Sequence, residues 1–267
     1  MEYSISYWCT SHTGNRRSIN QDNFICNGRF MELHHKNTEV PLCGIRSSRD
    51  VSLFGIFDGM GGEEYGEVAS YIAAKHASVL EIGTDVVSGL WRFCEITNRD
   101  ICKCAQEKHV QAMGTTAAVL TFTNAGVTLC NIGDTKIFLF CGDAFEQISK
   151  DHTAAAAFGA KPPLSQNLGI PPDELILEPY FAQGTYHDGD VYLICSDGLT
   201  DMVTPDQIVD ILISKSIEDV HEELLKKALA NGGRDNISII ICKIERIIGG
   251  HRIWKHRTSK GRQINGT

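Results

Sequence analysis

Three apolar stretches of the sequence end in an aspartate that adjoins a glycine: residues 52–59 (SLFGIFDG), 129–134 (LCNIGD) and 192–198 (YLICSDG). A fourth carboxylate, Asp235, stands just ahead of the apolar run that opens at Ile237. A strand end holds a side chain firmly while leaving it reachable, and glycine lets a ligand or a second backbone come close. Any one Asp-Gly pair is also ordinary turn chemistry, as Asp188-Gly189 reads here. Four carboxylates together mean more, because side chains gathered at strand ends repel one another unless a cation neutralises them. Hard oxygen donors without His or Cys select Mg2+ or Mn2+ over zinc. Two such ions close together lower the pKa of a bridging water and stabilise an in-line displacement at phosphorus.

Phosphate chemistry also calls for a cationic group. Residues 14–22 (GNRRSINQD) place Arg16 and Arg17 in a polar loop beside Asp22, and guanidinium is suited to bidentate phosphate contact.

These residues need elements to position them. Apolar or alternating runs bounded by turn residues predict strands over 2–9, 51–57, 116–122, 127–132, 136–140, 175–181, 191–195 and 237–244. The linkers Thr123-Asn124-Ala125-Gly126 and Gly133-Asp134-Thr135 are too short for a helical crossover, which predicts antiparallel pairing of the strands they join. Helical periodicity covers 63–80, 86–109, 205–214 and 217–230, with Thr204 as cap and Pro205 in the first turn of the third. Strands in number with a few separate helices predict an α+β layered domain with an antiparallel core.

Composition agrees with an ordinary globular chain: 267 residues, 42% hydrophobic and 22% charged. A core of that size needs no disulfide staple. Most of the ten cysteines lie in apolar runs and read as buried free thiols, and Cys102-Lys103-Cys104 alone is no zinc signature. No apolar run approaches the roughly 20 residues that span a bilayer, and the start lacks the basic-then-apolar order of a signal peptide, which predicts a cytoplasmic protein. Six of the 25 basic residues and none of the 33 acidic ones fall in 246–267, so residues 1–245 carry a formal charge of −14. An acidic body argues against nucleic acid as the main ligand, and the basic 246–267 reads as a flexible tail beyond a single domain at 1–245.

Read in order, these motifs resemble those of the metal-dependent Ser/Thr protein phosphatases, the type 2C family, in its bacterial form. The resemblance rests on GNRRSINQD (14–22), DGMGGEEYGEVAS (58–70), GTT (114–116), NIGDTK (131–136), KDHT (150–153), LICSDGLTD (193–201) and GGRDNIS (232–238), and it covers residues 5–244. It implies a central antiparallel β-sandwich flanked by helices, a four-layer α-β-β-α architecture. It also implies two catalytic Mn2+ or Mg2+ ions, bridged by Asp58, with the Gly59 carbonyl, Asp197 and Asp235 as the other direct ligands. Asp134, with Asp197, would hold a weaker third ion. Arg17, five residues before Asp22, would bind the substrate phosphate, and Asp22 would orient metal-bound waters; Asn236 would be an orienting neighbour of Asp235.

Three departures from the pattern matter. Met60 stands where many eukaryotic members place a histidine proposed as general acid, Gln21 replaces the commoner glutamate beside Asp22, and the flap segment between Thr153 and Leu168 is short. His152, in KDHT, reads as a structural hydrogen-bonding residue, and Trp91 and Phe93 as core. The implied function is hydrolysis of phosphoserine and phosphothreonine on proteins by a metal-bridging hydroxide. No phosphoenzyme is expected, since no Ser or Cys nucleophile with a neighbouring base is apparent. Expected partners are phosphorylated proteins, substrates of a Ser/Thr kinase, met by a monomer. The alternatives are a phosphatase of a small phosphorylated metabolite, or an inactive member serving as an interaction module.

Overall fold

The computed structural model describes residues 1–60, 65–110, 112–156 and 162–247. In chain order the elements are β1 (Tyr3–His12), β2 (Asp22–Cys26), β3 (Leu42–Ser47), β4 (Ser52–Met60), α1 (Gly66–Ser78), α2 (Val86–Lys108), β5 (Gly114–Thr115), β6 (Ala117–Thr123), β7 (Gly126–Ile132), β8 (Lys136–Cys141), β9 (Ala144–Gln147), β10 (Tyr180–Gly184), β11 (Val191–Cys195), α3 (Asp197–Thr200), α4 (Pro205–Ser214), α5 (Val220–Ala230) and β12 (Ile237–Arg246). One antiparallel sheet runs β3-β1-β12-β11-β8-β9; the other runs β10-β7-β6-β4-β2, with β5 paired to the end of β4.

Alternation along the central strands divides the molecule into layers. On β12, Ile240, Cys242 and Ile244 point into the core between the sheets, while Ile237, Ile239 and Ile241 point out under α4 and α5. On β4, Phe54 and Ile56 enter the inter-sheet core, and Leu53 and Phe57 face α1 and α2. A strand buried on both faces must be apolar at nearly every position, and β11, VYLIC, is. The result is the four-layer α-β-β-α sandwich. Local signals agree at the helix ends: Thr204 and Gln207 form a capping box at α4, with Pro205 in its first turn, and Asp85 caps α2.

The two short linkers behave differently. Asn124-Ala125 closes a β6–β7 hairpin, with Thr123 opposite Gly126. Gly133-Asp134-Thr135 does not make a hairpin: it carries the chain from β7 in one sheet to β8 in the other, where β8 pairs with β11 and β9. Gly133 turns this corner at φ +98°, a conformation that L side chains avoid. The strand expected over 175–181 instead begins only at Tyr180 and runs on to Gly184 as β10, since Leu175 and Ile176 are exposed and Pro179 interrupts any ladder before Tyr180. β2, β3, β5 and β9 lie outside the strands expected from the sequence.

All ten cysteines are free, and Cys9, Cys26, Cys94, Cys130, Cys195 and Cys242 are buried, whereas Cys43 and Cys141 are exposed. Among the described residues no helix is long and apolar enough to cross a membrane. Arg246 is the last residue of β12, and Ile247 still donates to the Glu2 carbonyl (2.9 Å). The rest of the basic 246–267 segment lies outside the described residues.

Candidate active site

The carboxylates meet at one end of the sandwich, each brought there by a different element. Asp22 opens β2 directly opposite Asp58 near the end of β4. Asp134 sits on the corner between β7 and β8, Asp197 begins α3 after β11, and Asp235 precedes β12. Two close backbone approaches make the convergence possible. A Cβ on Gly59 would overlap the carbonyl oxygens of Gly66 and Gln21, and one on Gly198 would overlap that of Asn236. The second contact presses the start of α3 against the start of β12 and so sets Asp197 beside Asp235.

Hydrogen bonds lock this frame. The Asp58 amide donates to Thr116 Oγ1 (3.0 Å), the Thr116 amide to the Asp58 carbonyl (2.9 Å), and Thr116 Oγ1 meets Thr135 Oγ1 at 2.5 Å. Asn236, 4% exposed, staples the arginine loop: its Nδ2 donates to the Thr13 and Ile19 carbonyls (2.9 and 3.0 Å), and its Oδ1 accepts from the Gln21 amide (2.8 Å). Gln21 in turn receives the Gly59 amide on its carbonyl (3.1 Å) and donates Nε2 to Glu67 (3.3 Å). Both residues thus shape the loop and the Gly59 turn. Thr116, Thr135, Ser196, Glu67 and Asn131 carry no role in the sequence reading, although all stand inside the quoted motifs, because polar side chains in such runs announce no particular partner.

Asp22 is wholly buried. Its Oδ2 accepts from Ser196 Oγ (2.8 Å), whereas Oδ1 has no hydrogen-bond partner among the described residues. Burial above all, with the charges of Asp197 and Asp235, pushes its pKa up to about 7 against the hydroxyl contacts that oppose the shift. Asp58 is driven well above the ordinary carboxylate range by desolvation, then by Asp22, Asp197, Asp134 and Asp235. Such a set is short of positive charge. Arg17 supplies some: its Nη2 donates to Asp235 Oδ2 at 2.6 Å from the rim, while Arg16 is solvent-exposed. Among the described residues no three His, Cys, Asp or Glu side chains close round one point as a finished cage. The donors gathered here are carboxylate oxygens alone, and one of them, Asp22 Oδ1, is buried without a hydrogen-bond partner among the described residues. That suits hard divalent cations that keep several waters.

A stability prediction follows from the sign of the Asp22 shift. A folded pKa near 7 against about 3.9 unfolded means that the folded chain holds the extra proton between those values. Stability from this group is fully present below about pH 4 and is lost as pH rises to about 7. Asp22→Asn, neutral throughout, should raise the melting temperature in EDTA at pH 8 and leave it nearly unchanged at pH 4. Equal gains at both pH values would show that charge is not the cause.

The family model for Protein phosphatase 2C matches residues 20–158. Protein phosphatase PhpP of Streptococcus pneumoniae is 32% identical over 208 residues, covering 70% of this chain and 83% of that protein. The serine/threonine protein phosphatase PstP of Mycobacterium tuberculosis is 30% identical over 207 residues, 72% of this chain and 40% of that longer protein. The crystal structure of the PstP catalytic domain, in complex with two manganese ions, superposes with a TM-score of 0.72 at 26% identity over 91% of this chain and 100% of that one.

Proposed function

Since the chain belongs to the protein phosphatase 2C family, we propose that this protein serine/threonine phosphatase works with two Mn2+ or Mg2+ ions held by Asp58, the Gly59 carbonyl, Asp197 and Asp235, a weaker third being shared by Asp134 and Asp197. The observation that carries the reading is the crowding of Asp22, Asp134, Asp197 and Asp235 around Asp58, with an arginine at the rim. When bound, the ions supply an activated water at neutral pH and countercharge for the phosphoryl oxygens.

The chain's own residues do the rest. Arg17, 43% exposed and held among the described residues by Asp235, can turn its remaining N–H donors to a phosphate at the mouth. Asp22, its Oδ2 held by Ser196, offers Oδ1 as acceptor for a water proton. Met60 sits 38% exposed at the end of β4 and has no proton to give, so the leaving alkoxide takes its proton from water. The substrates are phosphorylated proteins that a Ser/Thr kinase produces, met by a monomer in the cytoplasm, where ten reduced thiols are at home.

The test is phosphate release from a phosphothreonine peptide in EDTA, Mg2+ and Mn2+ in turn. Turnover only with added metal supports the reading; preference for small phosphometabolites over phosphopeptides would replace the substrate class. The same assay separates the two arginines. Arg17→Ala should raise KM about tenfold, near 1.4 kcal/mol, with a smaller loss in kcat, because a ground-state phosphate contact is mostly uniform binding. Arg16→Ala should stay within about twofold of the unchanged enzyme, an effect of the size usual for exposed positions. Reversed effects would assign the phosphate to Arg16.

A further inference from the structure

The corner that carries Asp134 is gripped from outside by His152. The Gly133 amide donates to His152 Nδ1 (3.2 Å), and the His152 amide donates back to the Gly133 carbonyl (2.9 Å). Both backbone polar groups of the residue before Asp134 are thereby satisfied by one side chain and its own backbone. The residue after Asp134 is held separately, since Asn131 Nδ2 donates to the Thr135 carbonyl (3.0 Å) and Thr135 Oγ1 meets Thr116. Asp134 thus projects from a corner pinned on both sides.

His152 also stands at the base of the flap. Its carbonyl accepts the Ser165 amide (2.9 Å), the Ala154 amide donates to the Pro163 carbonyl (2.9 Å), and Thr153 bridges Leu164. The two described ends of the flap segment are therefore zipped together at the residue that grips the corner. Next to it, Asp151 pairs with Lys136 at the start of β8. Accepting at Nδ1 requires the neutral ring with its proton on Nε2. Burial, followed by the charge of Lys150, favours that neutral form.

We propose that His152 is a positioning residue: its two hydrogen bonds to Gly133 hold Asp134 where the weaker third cation binds and tie that corner to the base of the flap. This rests on the reading of Asp134 given above. It goes further in naming the side chain on which that site depends. Asparagine can place Oδ1 near the position of the imidazole Nδ1, so His152→Asn keeps the acceptor while His152→Ala removes it.

The experiment compares Asp134→Ala, His152→Ala and His152→Asn in the full chain, with Mn2+ calorimetry, p-nitrophenyl phosphate kinetics and thermal melting. His152→Ala should reproduce Asp134→Ala in kind: the tighter Mn2+ binding retained, the weakest binding step reduced, and kcat lowered about tenfold with little change in KM. His152→Asn should recover most of both losses. A silent His152→Ala beside an impaired Asp134→Ala would overturn the positioning role alone, and a silent Asp134→Ala would overturn the third-cation reading beneath it. Loss of all Mn2+ binding in His152→Ala, or failure of asparagine to rescue, would also overturn the role. Should the alanine variant not fold, nitrogen NMR of the unchanged protein decides: protonated Nε2, bare Nδ1 and a Gly133 amide protected from exchange are expected, and a protonated Nδ1 would overturn the proposal.

Discussion

Asp58→Asn and Asp235→Asn should each lower kcat by at least roughly a hundredfold at saturating Mn2+, about 2.7 kcal/mol of transition-state stabilisation. Asp58 faces Asp22 across the β2–β4 ladder and is raised by burial first and then by four other carboxylates, so it is the most crowded charge in the cluster. Crowding of this kind weakens the fold and is useful only if a cation resolves it. Asparagine keeps the shape and removes the charge that attracts the ion. Asp58→Asn should therefore fold at least as stably as the unchanged chain in EDTA while losing turnover, a combination that plain unfolding cannot produce. Asp235→Asn differs in one respect, because it also gives up the charge-assisted contact with Arg17 and should show a raised KM in whatever activity remains. Retention of more than about a tenth of kcat by either variant would refute the two-ion assignment, since a lost direct ligand costs far more than about 1.4 kcal/mol.

Gly198→Ala should be among the most destabilising single methyl additions in the chain. The added carbon would overlap the Asn236 carbonyl oxygen, a backbone atom at the start of β12 that cannot step aside as a side-chain tip can. Overpacking of this sort costs about 1 to 3 kcal/mol, with the upper end expected against backbone. For a chain of this length that is a fall of about 6 to 12 °C in melting temperature, at 2–4 °C per kcal/mol. Residual folded protein should bind Mn2+ more weakly, because relief of the overlap moves Asp197 away from Asp235. Thermal melting with and without Mn2+ checks both parts. Gly83→Ala, at a glycine of ordinary backbone conformation whose Cβ would meet nothing within 4 Å, is the control for loss of a glycine as such. A Gly198 variant that melts with the Gly83 one would refute the close-approach argument.

Much of this was legible in one dimension because the relevant physics is local or periodic. Alternation in ISIIICKI and the unbroken apolar run VYLIC identify the central strands, since a strand between two layers must be apolar on both faces. Thr204-Pro205 sets the start of α4 locally, since Thr204 Oγ1 accepts the Gln207 amide and Pro205 needs no donor partner in the first turn. The Asp-Gly strand ends pointed to a gathering of carboxylates, which the structure brings together around Asp58, and such a gathering is costly without a cation. Where local chemistry is silent, tertiary structure decided. The sequence 133–135 is as short as a hairpin loop, yet it crosses between sheets, because β8 finds β11 and β9 as partners and no local preference names a partner. Asp22 reads as part of a polar loop and is the first residue of a fully buried strand, since pairing with β4 outweighs the polarity of its neighbours. The family resemblance favoured Arg17 over Arg16, but the bond of Arg17 to Asp235 joins residues 218 apart in the chain. The grip of His152 on Gly133 likewise exists only once the strands have brought two distant turns together, because a hydrogen bond depends on the final position of both atoms and not on the residue types alone.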